Sequence, residues 1–255
     1  MSDFDKKVKA SLTEYKQRVL RVTEDGAWRG KKHPHILPPT DGHKNFLLDP
    51  SSFEIKNEML YFPEMEKGIK LHQGWRHLNS SQVLCVSFFY QFVTDVNKLN
   101  ELARFLGATS AAVNAEFEMV IQDRSNIDFV IHLEKGKDIY IEIKYCEAEF
   151  GKADIKKPEK TYQKIRNDHH ASIDMSQKDY LENYQLVRNV CLSPKESGNL
   201  TVFLVPEQND KINQSYAQGV KTIKNPQNFS FKRVYWEDLL QKFPNDEIAK
   251  KYFSV

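Results

Sequence analysis

The chain has 255 residues, of which 40% are apolar and 12% aromatic, with a mean hydropathy of −0.61. That is enough apolar material for a hydrophobic core and excludes a disordered chain, while the longest apolar stretch, 83–93, is broken by Ser87 and Gln91 and is too short to span a bilayer. Thirty-seven basic against thirty-five acidic residues leave a net charge of +2, which excludes a histone-like polycation, so any contact with nucleic acid must come from a local basic surface.

Cys85, Cys146 and Cys191 lie far apart, which suits neither a disulfide framework nor a cysteine zinc site. The opening segment, residues 1–7, lacks the apolar run of a secretory signal, and the expected compartment is cytoplasmic. Residues 4–22 carry Phe4, Val8, Leu12, Tyr15 and Val19 at helical spacing. Residues 23–75 show turn formers but no sustained period and are expected to wrap a neighbouring surface. Asn79 followed by Gln82 reads as a capping box before an apolar helix from Val83, and Thr94 as the cap of a second helix through Phe105. Three alternating runs follow, 115–121, 127–133 and 138–146, separated by short polar turns, the pattern of an antiparallel meander. A helix is expected near 157–167, another over Tyr180–Val190, a strand over Leu200–Val205, a further strand over Phe229–Tyr235 and a helix over Trp236–Phe243. Helix, three strands, helix, strand indicates an α/β domain with a mixed sheet.

The meander allows a pairing deduction. Around the second turn, antiparallel partners have numbers summing to about 270 or 272, which sets Asp128 opposite Glu142 or Lys144 on one face. Around the first turn the sum is about 248 or 250, which sets Glu118 beside Val130 or His132, near the same face; Glu116 shares that face. Carboxylates gathered this closely repel one another, and a divalent cation relieves the repulsion. Oxygen donors without thiolate or a close histidine pair favour Mg²⁺, with Mn²⁺ as a substitute, over zinc. The plain alternative is a cross-strand salt bridge on a solvated face.

Asp128, thirteen residues, and then Glu142-Ile143-Lys144 resembles the PD-(D/E)XK nuclease superfamily, although Ile127 stands where the motif's name has proline. The element order matches that superfamily's core. The segments His35-Ile-Leu-Pro38, His77–Gln82, Ala115–Glu118, Asn126–Asp128, Glu142–Glu147, Phe150-Gly151 and Tyr184–Arg188 look like landmarks of a restriction-endonuclease-like branch. The resemblance implies that Asp128 and Glu142 hold the metal, with the Ile143 carbonyl completing its shell. It further implies that Lys144 assists the attacking water, that Glu118 is an additional carboxylate, and that Gln185 lies beside the site.

The expectation is therefore an α/β restriction-endonuclease-like core over 76–255, preceded by a helix and wrapping extension over 1–75, forming one continuous domain with no small-molecule cofactor and compatible with a homodimer. Its expected activity is metal-dependent hydrolysis of DNA phosphodiester bonds in a restriction or defence setting. The alternatives are a non-catalytic nucleic-acid-binding module and a nuclease-like subunit of a larger defence or repair complex. Lys152, Lys156, Lys157 and Lys160 follow the third strand and are candidate phosphate contacts, as are Arg188 and the helix start at Asn79 and Ser81; solvated lysines and an ordinary helix cap are the plain readings. His33, His35, His169 and His170 lack the context of zinc ligands, and the cysteines read as core fillers.

Overall fold

The computed structural model describes residues 2–121, 126–153 and 175–254. The expected helix near 157–167 and the candidates Lys156, Lys157 and Lys160 lie outside the described residues, as do His169 and His170. The chain forms two compact units, 1–94 with 237–255, and 95–236. The expected boundary after residue 75 falls inside the first of them.

In the first unit, helix α1 (Asp3–Arg18) starts where Ser2 accepts a hydrogen bond from the Asp5 N–H, and it buries Val8, Leu12 and Tyr15 at the predicted spacing. It stops short of the predicted residue 22; Arg21 has a φ of 54°. The segment read as irregular holds two small antiparallel sheets, β1 (Gly26–Trp28) with β2 (Lys31–His33), and β3 (Glu54–Lys56), β4 (Met59–Tyr61) and β5 (Ile69–Lys70). Strands of two or three residues are too short to show a period. The turns Arg29-Gly30 and Asn57-Glu58 have positive φ at both central positions, as tight hairpins require, but only the first carries a glycine to announce it. Helix α2 (Ser81–Val93) is buried nearly all round, and Ser80, not Asn79, caps it by accepting from the Val83 N–H. Gln82 does not close a capping box. Its amide receives the His72 N–H at 2.8 Å and donates to the Lys70 carbonyl at 3.0 Å, tying the strand segment to the helix.

The second unit begins with α3 (Val96–Phe105), capped by Asp95 and not by Thr94. A five-stranded sheet follows, with strand order β10-β9-β8-β7-β6. Strands β6 (Ala112–Val120), β7 (Asn126–Leu133) and β8 (Lys137–Ile143) form the antiparallel meander; β9 (Leu200–Val205) and β10 (Phe231–Tyr235) run parallel to β8. This is the mixed α/β architecture expected, with β8 and β9 central and buried on both faces. The helix read over Tyr180–Val190 is two helices, α4 (Gln177–Glu182) and α5 (Tyr184–Val190), broken at Asn183, whose backbone leaves the helical region. Helix α6 (Asp210–Thr222), which the sequence reading did not predict, buries Ile212 and Gly219 and packs Tyr216 and Val220 against the same core at helical spacing. Leu186, Val187, Val190 and Ile212 from these helices share one core with Phe203 and Val205 of β9. Phe203 lies level with Glu142 on β8, so the helices cover the sheet face on which Glu142 stands. Helices α7 (Trp236–Lys242) and α8 (Asp246–Tyr252) end the chain.

Candidate active site

The β7–β8 pairing has Phe129 opposite Ile141, Val130 opposite Tyr140 and His132 opposite Asp138. Carried one position further, that register sets Asp128 level with Glu142, the smaller of the two partner sums predicted. The flanking Ile127 and Phe129 are fully buried on the opposite face, which fixes the direction of Asp128. The first turn differs from prediction. Phe117 pairs with Phe129 and Met119 with Ile127, so Glu118 lies across from Asp128 and not beside Val130 or His132. Glu118 itself has a φ of 52°, a left-handed conformation that costs a non-glycine residue roughly 1–2 kcal/mol, and its carboxylate receives the Asn126 amide at 2.8 Å.

Glu142 is 2% exposed. A carboxylate at that depth costs several kcal/mol unless its lone pairs are occupied (roughly, after relaxation). Here they are: Oε1 accepts from Lys144 Nζ at 2.8 Å and Gln185 Nε2 at 2.6 Å, and Oε2 from Asn189 Nδ2 at 2.8 Å. Lys144 reaches it because residues two apart on an extended chain share a face, and the Lys144 N–H still bonds the Leu204 carbonyl of β9. Gln185 and Asn189 reach it because they are four apart on α5 and so lie on one stripe. The Gly151 N–H donates to Gln185 Oε1 at 3.0 Å, turning the amide so that its NH₂ faces Glu142.

Asp128 accepts the Ile143 N–H at 2.7 Å through Oδ2. Burial pushes its pKa well above the ordinary carboxylate range, and the Glu142 and Glu118 charges push the same way against Lys144 and the Ile143 N–H. For Lys144, burial disfavours the ammonium, but Glu142, Glu147 and Asp128 outweigh it and raise the pKa, so the lysine stays charged. Glu147 accepts the Tyr145 N–H at 2.6 Å. The arrangement is two facing acids, a third across the strand, and one retained cation.

Among the described residues, no three His, Cys, Asp or Glu side chains stand together as a metal cage. The donor set here is two carboxylates and the adjoining Ile143 carbonyl. That set suits Mg²⁺, which is commonly held by one or two carboxylates and keeps several waters. Burial first, and then the Glu142 charge, raises the pKa of Asp128, and a divalent cation there would favour its carboxylate form.

Lys152 is exposed, pairs with Glu149 at 2.9 Å and lines a polar cavity of about 440 Å³ with Asp179, Glu182 and Lys211. Asn79 and Ser81 belong to the first unit, as do His33 and His35. Cys85 and Cys191 are buried and Cys146 is half-buried, and none of the three forms a disulfide. Arg188, whose plain reading was a surface cation, is 4% exposed. Two features escaped the sequence reading. Asn189 is legible only as the position four beyond Gln185. His132 sits between two carboxylates, with Nδ1 2.7 Å from Asp138 Oδ1 and Nε2 3.0 Å from Glu116 Oε1, while the Tyr140 hydroxyl donates to Asp138 Oδ2 at 2.9 Å. This row continues the site's strand face and accounts for Glu116, leaving Glu118 as the β6 acid across from Asp128.

A mixed sheet that brings an aspartate level with a glutamate, with a lysine two residues on from the glutamate, defines a restriction-endonuclease-like α/β protein. No helix among the described residues is long and apolar enough to cross a membrane. The sequence comparison agrees with that class: residues 9–254 match a family described as "Restriction Endonuclease associating with ARP", and the chain belongs to it. No curated protein matches the chain.

Proposed function

We propose that the chain is a divalent-metal-dependent endonuclease that hydrolyses DNA phosphodiester bonds, acting in a restriction or defence setting. The observation that carries this reading is the buried Glu142, held by Lys144, Gln185 and Asn189 level with an Asp128 whose pKa is raised. Asp128, Glu142 and the Ile143 carbonyl would hold Mg²⁺, with Glu118 as a further acid. The ion supplies charge neutralisation at the phosphate and acidity at a bound water. Lys144 spends one of its three N–H donors on Glu142, and its remaining donors orient the attacking water and offset charge developing on the phosphate oxygens. Gln185 and Asn189 keep Glu142 in one orientation, so the acid pair is set before substrate arrives. The basic stretch from Lys152 through Lys156, Lys157 and Lys160 would supply phosphate contacts for binding.

The test is cleavage of supercoiled plasmid and short duplexes with Mg²⁺ or Mn²⁺, compared with EDTA. The wild-type chain is expected to cut only with the metal. Asp128→Asn and Glu142→Gln are expected to stay folded and inactive, and Mg²⁺ should raise the melting temperature of the wild type but not of the double variant. Metal-independent cutting, or unimpaired cutting by Asp128→Asn, would overturn the reading.

A further inference from the structure

We propose that Arg188 is a phosphate-binding residue that couples anion binding to the orientation of Glu142. Identifying the anion as the substrate phosphodiester rests on the nuclease reading above; the anion site itself rests on Arg188.

Arg188 lies on the same helix as Gln185 and Asn189, and its Nε donates to Asn189 Oδ1 at 2.8 Å. That bond settles the Asn189 amide. With the oxygen turned to Arg188, the NH₂ must face Glu142 Oε2. The guanidinium thus stands two hydrogen bonds from the metal-binding acid. Its carbon lies 5.8 Å from the centre of the Tyr184 ring, within cation–π range.

The other end of the guanidinium is what points to a ligand. Nη2 is buried and has no hydrogen-bond partner, and among the described residues no carboxylate pairs with Arg188. The deeply buried Lys16 and Lys144 each pair with a carboxylate, Asp25 and Glu142, whereas the acceptor of Arg188 is the neutral Asn189 amide. A buried arginine with an idle N–H group beside an acid cluster is costly unless an anion completes it. The planar guanidinium fork matches the two non-bridging oxygens of a phosphodiester, and the charge-assisted bonds that result are among the stronger ones in proteins. A phosphate held at Nη2 would lock the guanidinium, and through Nε and Asn189 it would hold Glu142 in place. Arg188 therefore acts on substrate directly and positions Glu142 through Asn189.

Inorganic phosphate is the probe, added to the metal-free chain and followed by thermal shift and calorimetric titration. Phosphate is expected to stabilise the wild type. Arg188→Met, which keeps the stem and removes the unpaired charge, is expected to melt at or above the wild-type temperature without phosphate and to bind phosphate at least about tenfold more weakly. Arg188→Lys, which keeps the charge and loses the fork, is the second variant and should fall between the two. Single-turnover cleavage is measured on the same proteins. Loss of phosphate binding in Arg188→Met, in a chain whose wild type cuts no DNA, would keep the anion site and remove the nuclease reading. A wild type that cuts DNA, with phosphate affinity and cleavage unchanged in both variants, would overturn the assignment to Arg188.

Discussion

If the chain is the proposed nuclease, Lys144 ties catalysis most closely to stability. It is the only cation hydrogen-bonded to Glu142 among the described residues, and it is itself almost wholly buried. Lys144→Ala should lower single-turnover cleavage by roughly 10²-fold or more, as loss of an oxyanion donor does. It should also destabilise the fold, because removing one partner of a buried pair typically costs about 3–5 kcal/mol. Adding Glu142→Gln should recover much of that stability and none of the activity, a coupling that denaturant melts of the two single variants and the double variant would measure. Additive losses would mean that the pair is not energetically linked. Asp128, Glu142 and Lys144 were legible because strand alternation alone puts them on one face. Asn189 was not, because its role depends on the phase of a helix whose start at Tyr184 is hidden by the preceding turn. The left-handed Glu118 was also hidden, since nothing in its neighbours announces a positive φ.

At the scale of elements, the meander positions the site and the same meander carries the row that stiffens it. The β7–β8 register followed from a short polar turn. The β6–β7 register did not, because the turn between them permits several pairings and the ladder is irregular near Ala112 and Asn114. Helix α6 was missed although Ile212, Tyr216 and Val220 keep helical spacing on one core, because polar residues fill the positions between them. His132 links all three strands of the meander through Glu116 and Asp138. Its hydrogen bond to Asp138 raises its pKa, with Glu116 assisting, against the opposing effect of burial. For Asp138, burial works upward, but the bonds from His132 and Tyr140 and the imidazolium charge prevail and hold its pKa low. A histidine raised in the folded state contributes stability that is fully present below its unfolded value, about 6.5, and lost as pH rises through the folded value. A depressed aspartate contributes stability that is present above its unfolded value, about 3.9, and lost as pH falls through the folded value. His132→Gln should therefore cost most on the mildly acid side and converge with wild type as pH climbs. Denaturant titrations from about pH 5 to about pH 9 would show this, and a constant gap across that range would remove the ion cluster from the account.

At the scale of the whole chain, the first unit takes residues from both ends of the sequence, so it is complete only when the final helix is in place. Lys251 Nζ donates to the Asn45 carbonyl and to Asn45 Oδ1 at 2.8 Å, a contact between residues 206 positions apart. Asn45 in turn donates to the His77 carbonyl at 2.9 Å, so one buried amide joins the C-terminal helix to the approach to α2. Closing so long a loop carries an entropic cost, and the bonds that secure it matter for folding order as well as for stability. Among the described residues, Lys251 forms no ion pair with a carboxylate. The groups facing it are the Asn45 amide, the Tyr252 ring at 4.7 Å and the Tyr15 ring at 6.0 Å. Burial holds its pKa well below the ordinary lysine value, while burial and then Glu247 push Tyr15 up to about 12. Between the depressed folded value and the unfolded value near 10.4, the unfolded chain binds a proton that the folded chain does not, so stability rises with pH. Lys251→Met should abolish that rise, and it should leave the Asn45 oxygens bare at a cost of about 1–3 kcal/mol. The comparison belongs between about pH 7 and about pH 9.5, below the range where unfolded tyrosines begin to ionise. Parallel denaturant titrations of wild type and Lys251→Met should show the wild-type advantage growing across this interval by up to about 1.4 kcal/mol per pH unit. An advantage that stays flat would mean that Lys251 keeps its proton on folding, with the Asn45 oxygens and the two rings sufficing to hold a buried ammonium.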